Sequence, residues 1–236
     1  MSWYKGFDAV IAQQLPHLRV LCDEPMAGHT TFRIGGPARR MAFPASPEEL
    51  AALLNLATEK GWPWMVAGNG SDLLVDDAGL DLLVIVTTAM DQVERTGETT
   101  IRAWAGVSLA RLAVFAMEQG LAGLAFAHGI PGSLGGAVFM NAGAYGGELR
   151  DVLTEVTFLD EAGEYRTLPA AALELSYRHS IFEERPGCVI VEAVLTLTPG
   201  EETAIRAAME DYMSRRREKQ PLEYPSAGST FKRPEG

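Results

Sequence analysis

Apolar positions along the chain fall into two periods. Leu50, Leu53, Leu54 and Ala57 lie on one helical stripe. Before them, Ser46-Pro47-Glu48-Glu49 supplies a capping serine, a proline at the first helical position and a glutamate three residues past the cap. A helix is predicted there, ending at Gly61. Leu109, Leu112, Ala113, Ala116 and Met117 form a second stripe, capped by Ser108 and stopped at Gly120. A third helix is predicted over residues 201–220. It is acidic at its start, basic at its end through Arg215, Arg216, Arg217 and Lys219, and carries Ile205, Met209, Tyr212 and Met213 on one side. The basic run reads as a solvated helix end.

Between the helices the period shortens. Trp64 to Ala67 and Leu82 to Val86 read as short buried strands, with the polar loop Gly68 to Asp72 leaving the end of the first. Gln92 to Trp104 reads as a strand pair turning at Thr96-Gly97. Val152 to Phe158 predicts a further strand, Asp160 to Gly163 a turn, and Cys188 to Leu197 another strand. Pro221 to Gly236 predicts no element. Helices and strands mixed in this way give an α+β class.

Composition adds boundaries to that picture. A chain of 236 residues, 47% hydrophobic and 22% charged, is expected to be soluble and globular, with one large domain or two modest ones. The longest strongly apolar stretch, Leu80 to Val86, is broken by Asp81 and falls far short of the roughly 20 residues that span a bilayer. The first residues lack the basic start, apolar middle and cleavage site of a secretory signal, so the expected location is cytoplasmic. A net charge of −11 argues against nucleic acid or a membrane surface as partner. Any anionic ligand must be held by local devices. Cys22 and Cys188 form no CxxC pair, and His17, His29, His128 and His179 stand at no ligand spacing, so neither a disulfide framework nor a metal site is expected.

Glycine changes the picture more. Gly68-Asn69-Gly70-Ser71-Asp72-Leu73 offers consecutive backbone N–H groups of the kind that cradle a pyrophosphate, with a plain turn as the competing reading. It lacks the third glycine of a GxGxxG fingerprint, and no GxxxxGK[ST] sequence exists in the chain. A second cluster places glycine at 129, 132, 135, 136, 143, 146 and 147. Each glycine weakens a regular element by roughly 0.5–1 kcal/mol, so such a cluster points to backbone that approaches a ligand closely.

Five segments in order carry a family resemblance: TTFRIGG from Thr30, GNGSDLLV from Gly68, GIPGSLGGAVFMNAGAYG from Gly129, SYRHSIF from Ser176 and PSAGSTFKRPEG from Pro225. Together they resemble the UDP-N-acetylenolpyruvoylglucosamine reductases, in the shorter subtype that lacks a tyrosine-bearing insertion after SYRHS. The resemblance implies a two-lobed FAD-binding region of the vanillyl-alcohol-oxidase (PCMH) type over residues 1–199, with lobes at about 20–88 and 89–199. Residues 200–236 would begin a substrate-binding α+β domain. It also implies NADPH as hydride source and a UDP-sugar as substrate. Gly68, Asn69, Gly70, Ser71, Asp72 and Leu73 would hold the FAD pyrophosphate. Pro131, Gly132, Ser133, Gly136, Asn141, Gly143, Ala144 and Tyr145 would line the rest of the cofactor.

By the same resemblance Arg178 is the catalytic arginine, stabilising charge that develops beside the substrate carboxylate, and Ser229 is the proton donor. Taken singly, Arg178 also reads as a partner of Glu183 or Glu184, and Ser229 as a turn residue. Tyr177, Lys232 and Arg233 are candidates for substrate contacts, although some family members hold asparagine at the last position. The family's third catalytic group, a glutamate near the C-terminus, has no counterpart, so the chain is expected to be truncated. That leaves an FAD-binding module without full activity, or another oxidoreductase of the same flavin superfamily, as alternatives. Covalent attachment of the flavin through His128 is disfavoured.

Overall fold

The computed structural model describes residues 2–226 and 228, so Ser229, Lys232 and Arg233 lie outside the described residues. The chain divides into two compact units. One runs to Met90 and takes in Pro225, Ser226 and Gly228; the other is Asp91–Tyr224.

The first unit contains α1 (Trp3–Gln14), β1 (Arg19–Pro25), β2 (Pro37–Phe43), α2 (Pro47–Lys60), β3 (Trp64–Ala67) and β4 (Leu80–Val86). Its sheet has the order β1-β2-β4-β3, antiparallel between β1 and β2 and parallel elsewhere. The cap of α2 forms as its sequence dictates. Ser46 Oγ accepts from the Glu49 amide at 3.2 Å, Glu49 accepts in return from the Ala45 amide, and Gly61 takes the left-handed conformation that ends the helix. β4 starts two residues before the strand predicted at Leu82 because Leu80 pairs with Ala38. The unpredicted β1 is an edge strand with no buried residue, so it carries no inward stripe. Met26, Met41, Phe43, Ala67, Val75 and Val84 form the core below the loops at the strand ends.

The second unit contains β5 (Val93–Arg95), β6 (Thr100–Trp104), α3 (Leu109–Glu118), β7 (Leu121–Ala122), α4 (Leu134–Phe139), β8 (Gly143–Ala144), β9 (Gly147–Glu148), β10 (Leu153–Leu159), β11 (Tyr165–Pro169), β12 (Val189–Thr196), β13 (Thr198–Pro199) and α5 (Glu202–Lys219). An antiparallel sheet of order β11-β10-β12-β6-β5 carries α3 and α4 on one core; β7 pairs with β13, and β8 with β9. Ser108 caps α3 and Gly120 closes it at φ +66°. Ile205 and Met209 of α5 are buried in that same core.

α4 lies inside the glycine motif, where propensity argues against a helix. Tertiary contacts supply what the local sequence does not: the Leu134 amide donates to the Val107 carbonyl and the Gly135 amide to the Ala105 carbonyl, both at 2.8 Å.

Candidate cofactor and substrate site

In the first unit, the loop after β3 borders a cavity of about 270 Å³ whose lining includes Gly28, His29, Thr30, Gly68, Asn69 and Thr88. Gly70 is explained by its neighbours. It has φ +62°, and a Cβ there would sit 1.9 Å from the His29 carbonyl oxygen, so only glycine lets this loop close on residues 29–31. The amides of Gly70, Ser71 and Asp72 donate to no carbonyl or side chain among the described residues, although Gly70 is buried. Consecutive N–H dipoles of this kind can accept an anion without adding positive charge. Leu73 turns inward and packs on the core, so it supports the loop.

In the second unit, several glycines of the cluster are required by the protein's own packing, and Gly136 is not. A Cβ on Gly135 would lie 2.9 Å from the Ala105 Cβ, one on Gly143 would lie 2.7 Å from the Glu148 Cβ, and one on Gly147 would lie 2.8 Å from the Phe126 ring. Tyr145 and Gly146 form the two-residue turn between β8 and β9, with φ of 55° and 85°. These are the signs of a type I′ turn, which glycine accepts freely and tyrosine does not. Gly136 differs. A Cβ there would meet only Ser133 Oγ at an ordinary 3.6 Å, and its φ is unremarkable. The protein's own packing gives no reason for glycine at 136, whereas a flat group lying against that face would. Ser133 is buried at the start of α4 with no side-chain cap bond, and the Gly132 carbonyl accepts from the Leu109 amide.

Asn141 is buried, and its side chain is fully engaged by the protein: Nδ2 donates to Glu148 Oε2 at 2.7 Å and to the Ser176 carbonyl at 3.0 Å, while Oδ1 accepts from the Arg150 amide at 3.0 Å. It therefore shapes the glycine segment from behind. The segment 176–180 is docked on the same region by Ser180, wholly buried, whose Oγ donates to the Phe139 carbonyl at 2.5 Å. Ser176 and His179 exchange both backbone hydrogen bonds at 3.2 Å, which places Tyr177 and Arg178 at the tip of a tight turn. Arg178 takes φ +55°, an unfavourable conformation for a residue that carries a β-carbon. Its Nη2 lies 3.4 Å from the Gly143 carbonyl, and no carboxylate pairs with it among the described residues. Glu183 is instead taken by His179 at 3.1 Å. The guanidinium is thus half-buried on a strained turn, held beside Gly143 by one long hydrogen bond and without an ion-pair partner among the described residues. Tyr177 is 54% exposed.

Sequence reasoning did not single out Ser180, Glu148 or Tyr212 as part of the site; the last of these stacks on Tyr145 at 4.7 Å with ring planes 3° apart. Their roles depend on partners distant in sequence. Among the described residues there is no cluster of metal-ligating side chains, and no helix is long and apolar enough to cross a membrane.

A family of FAD-binding domains matches residues 38–169. The UDP-N-acetylenolpyruvoylglucosamine reductase of Agathobacter rectalis is 48% identical over 96% of this chain and 75% of its own. The chain belongs to that reductase family. The enzyme of the same name from Levilactobacillus brevis is 45% identical over 97% of this chain and 74% of its own. The crystal structure of the Thermus caldophilus reductase superposes with a TM-score of 0.75 at 31% identity, covering 92% of this chain and 75% of that one. Cholesterol oxidase from Brevibacterium sterolicum, at 16% identity and a TM-score of 0.58 over 78% of this chain and 38% of its own, shares the fold alone. The α+β fold is thus that of the PCMH-type FAD-binding region, and this member of the reductase family is a flavoprotein oxidoreductase.

Proposed function

We infer that this chain reduces the enolpyruvyl ether of UDP-N-acetylglucosamine to the lactyl ether of UDP-N-acetylmuramate with NADPH, in the cytoplasmic synthesis of peptidoglycan precursors. The observation that carries this reading is the unpaired Arg178, presented on a strained turn fastened to the glycine motif. FAD, when bound, supplies hydride chemistry between NADPH and the substrate double bond. The amides of Gly70, Ser71 and Asp72 suit its pyrophosphate, with Gly68, Asn69 and Leu73 completing that loop. The open face at Gly136 suits a flat ring, bordered by Pro131, Gly132, Ser133 and Gly143 to Tyr145.

Hydride addition to the vinyl group places negative charge on the carbon beside the substrate carboxylate. The fixed Arg178 guanidinium meets that charge as it develops, at no cost of reorganisation. In this reading Ser229 Oγ delivers the quenching proton to that carbon. A hydroxyl is a weak acid; a strongly basic target and the effective molarity of an enzyme-bound donor are what let it serve. Tyr177, Lys232 and Arg233 would meet the substrate's phosphates or carboxylate.

The test is turnover of purified protein loaded with FAD. Substrate-dependent oxidation of NADPH and a product heavier by two hydrogens are expected. Bound FAD reduced by NADPH with no conversion of the enolpyruvyl substrate would sink the proposal.

A further inference from the structure

Thr31 stands where three segments of the first unit meet. Its amide donates to the Gly70 carbonyl in the cofactor loop at 3.1 Å. Its hydroxyl donates to the Ser226 carbonyl at 2.7 Å, across a sequence separation of 195 residues, and its own carbonyl accepts from the Ser226 amide at 3.1 Å. Ser226 in turn braces the chain just beyond it: its Oγ accepts from the Gly228 amide at 3.1 Å, and Gly228 has φ +72°. Ser229 is the next residue in the chain.

The segment from Pro221 onward has prolines at 221, 225 and 234 and forms no helix or strand over its described residues, so its position depends on where it is tied. A serine hydroxyl works as a proton donor only through placement, because effective molarity is lost when the donor wanders. The bracket at Thr31 joins that segment to the loop whose free amides suit the FAD pyrophosphate, and it does so through two hydrogen bonds to Ser226 and one to Gly70.

We propose that Thr31 is a positioning residue for the protonation step, holding the segment that bears Ser229 in register with the cofactor loop. This rests on the reading of Ser229 as proton donor. A hydroxyl at 31 is required, since a methyl in its place keeps the shape and the backbone bonds but loses the bond to the Ser226 carbonyl.

The test uses the full chain loaded with FAD, with Thr31→Val, Thr31→Ser, Ser229→Ala and the Thr31→Val/Ser229→Ala double variant. Hydrogen exchange over residues 221–228 should quicken in Thr31→Val by about tenfold, the loss of roughly 1.4 kcal/mol, and return toward the parent in Thr31→Ser. In rapid-mixing experiments Thr31→Val should slow reoxidation of the flavin by the enolpyruvyl substrate at least tenfold more than it slows reduction by NADPH. Added to Ser229→Ala, it should cost that step little more, because the donor it places is already gone.

Unchanged exchange overturns the bracket. Faster exchange with both half-reactions slowed alike overturns the positioning role. If Ser229→Ala matches the parent in the substrate-dependent step, the reading of Ser229 fails, and the exchange experiment alone decides whether Thr31 fastens the segment.

Discussion

The side-chain amide of Asn141 reaches the Ser176 carbonyl at 3.0 Å, so one buried residue ties the glycine motif to the turn that presents Arg178. Its carbonyl oxygen and second amide proton are spent on the Arg150 amide and Glu148. Truncation would leave several buried polar groups unpaired at about 1–3 kcal/mol for such a group. Asn141→Ala is therefore expected to lose roughly 2–4 kcal/mol in denaturant unfolding. Asn141→Asp, though nearly isosteric, should lose at least as much at neutral pH, because it turns a donor into a carboxylate facing Glu148 and the Ser176 carbonyl. A milder loss for the aspartate would count against this arrangement.

Gly135 and Gly136 are adjacent in α4 and should respond oppositely to a methyl group. Gly135→Ala meets the Ala105 Cβ at 2.9 Å and should destabilise the protein by about 1–3 kcal/mol. Gly136→Ala makes only an ordinary 3.6 Å contact with Ser133 Oγ and gains helix propensity, so the apoprotein should be as stable or up to about 1 kcal/mol more stable. FAD titration should then show affinity weakened by about tenfold or more, equivalent to 1.4 kcal/mol. Thermal melts of both apoproteins and a fluorescence titration decide this pair.

Arg178 sits at φ +55° with only a long contact to the Gly143 carbonyl and a 5.9 Å approach to the Tyr177 ring, so its backbone would be better served by glycine. Arg178→Gly is expected to keep stability within about 1 kcal/mol of the parent. Substrate-dependent turnover should fall about 10²–10³-fold, the loss typical of one preorganised charge-stabilising group. Unimpaired turnover would remove Arg178 from the mechanism.

The Asp160 carboxyl is held below the ordinary aspartate range, first by its hydrogen bond with Arg166 and then by the Glu164 amide. A folded value below the unfolded one means the unfolded chain takes up protons first. The stabilisation is thus present above about pH 4 and is lost as the pH falls from there through the lower folded value. Asp160→Asn should flatten the acid limb of the stability–pH curve measured by denaturant titration. An unchanged acid limb would show that the pair is lost to solvent.

Much of the fold was legible because its determinants are local. Ser46 with Glu49, Ser108, Gly61 and Gly120 are read within a few residues of the helices they bound, and each cap forms as expected. The solvated edge strand β1 and the glycine-bearing α4 were not legible. One buries no stripe, and the other owes its first turn to carbonyls of Ala105 and Val107 some thirty residues earlier. The glycine cluster was legible as unusual but not as mixed. Only the packing separates Gly135, Gly143 and Gly147, which the chain needs for itself, from Gly136, which it does not.

The sequence by itself determined the family, through motifs whose order and composition survive at 48% identity to a reductase relative, and with it the expectation of FAD. It also named Arg178. Tertiary structure alone decided that this arginine stands on a left-handed turn with no carboxylate beside it among the described residues, that Asn141 is spent on holding the site together, and that Thr31 joins Gly70 to Ser226. Composition and spacing record which chemical groups a chain owns. Which of them are left free depends on partners far along the chain, and only folding brings those partners within hydrogen-bonding distance.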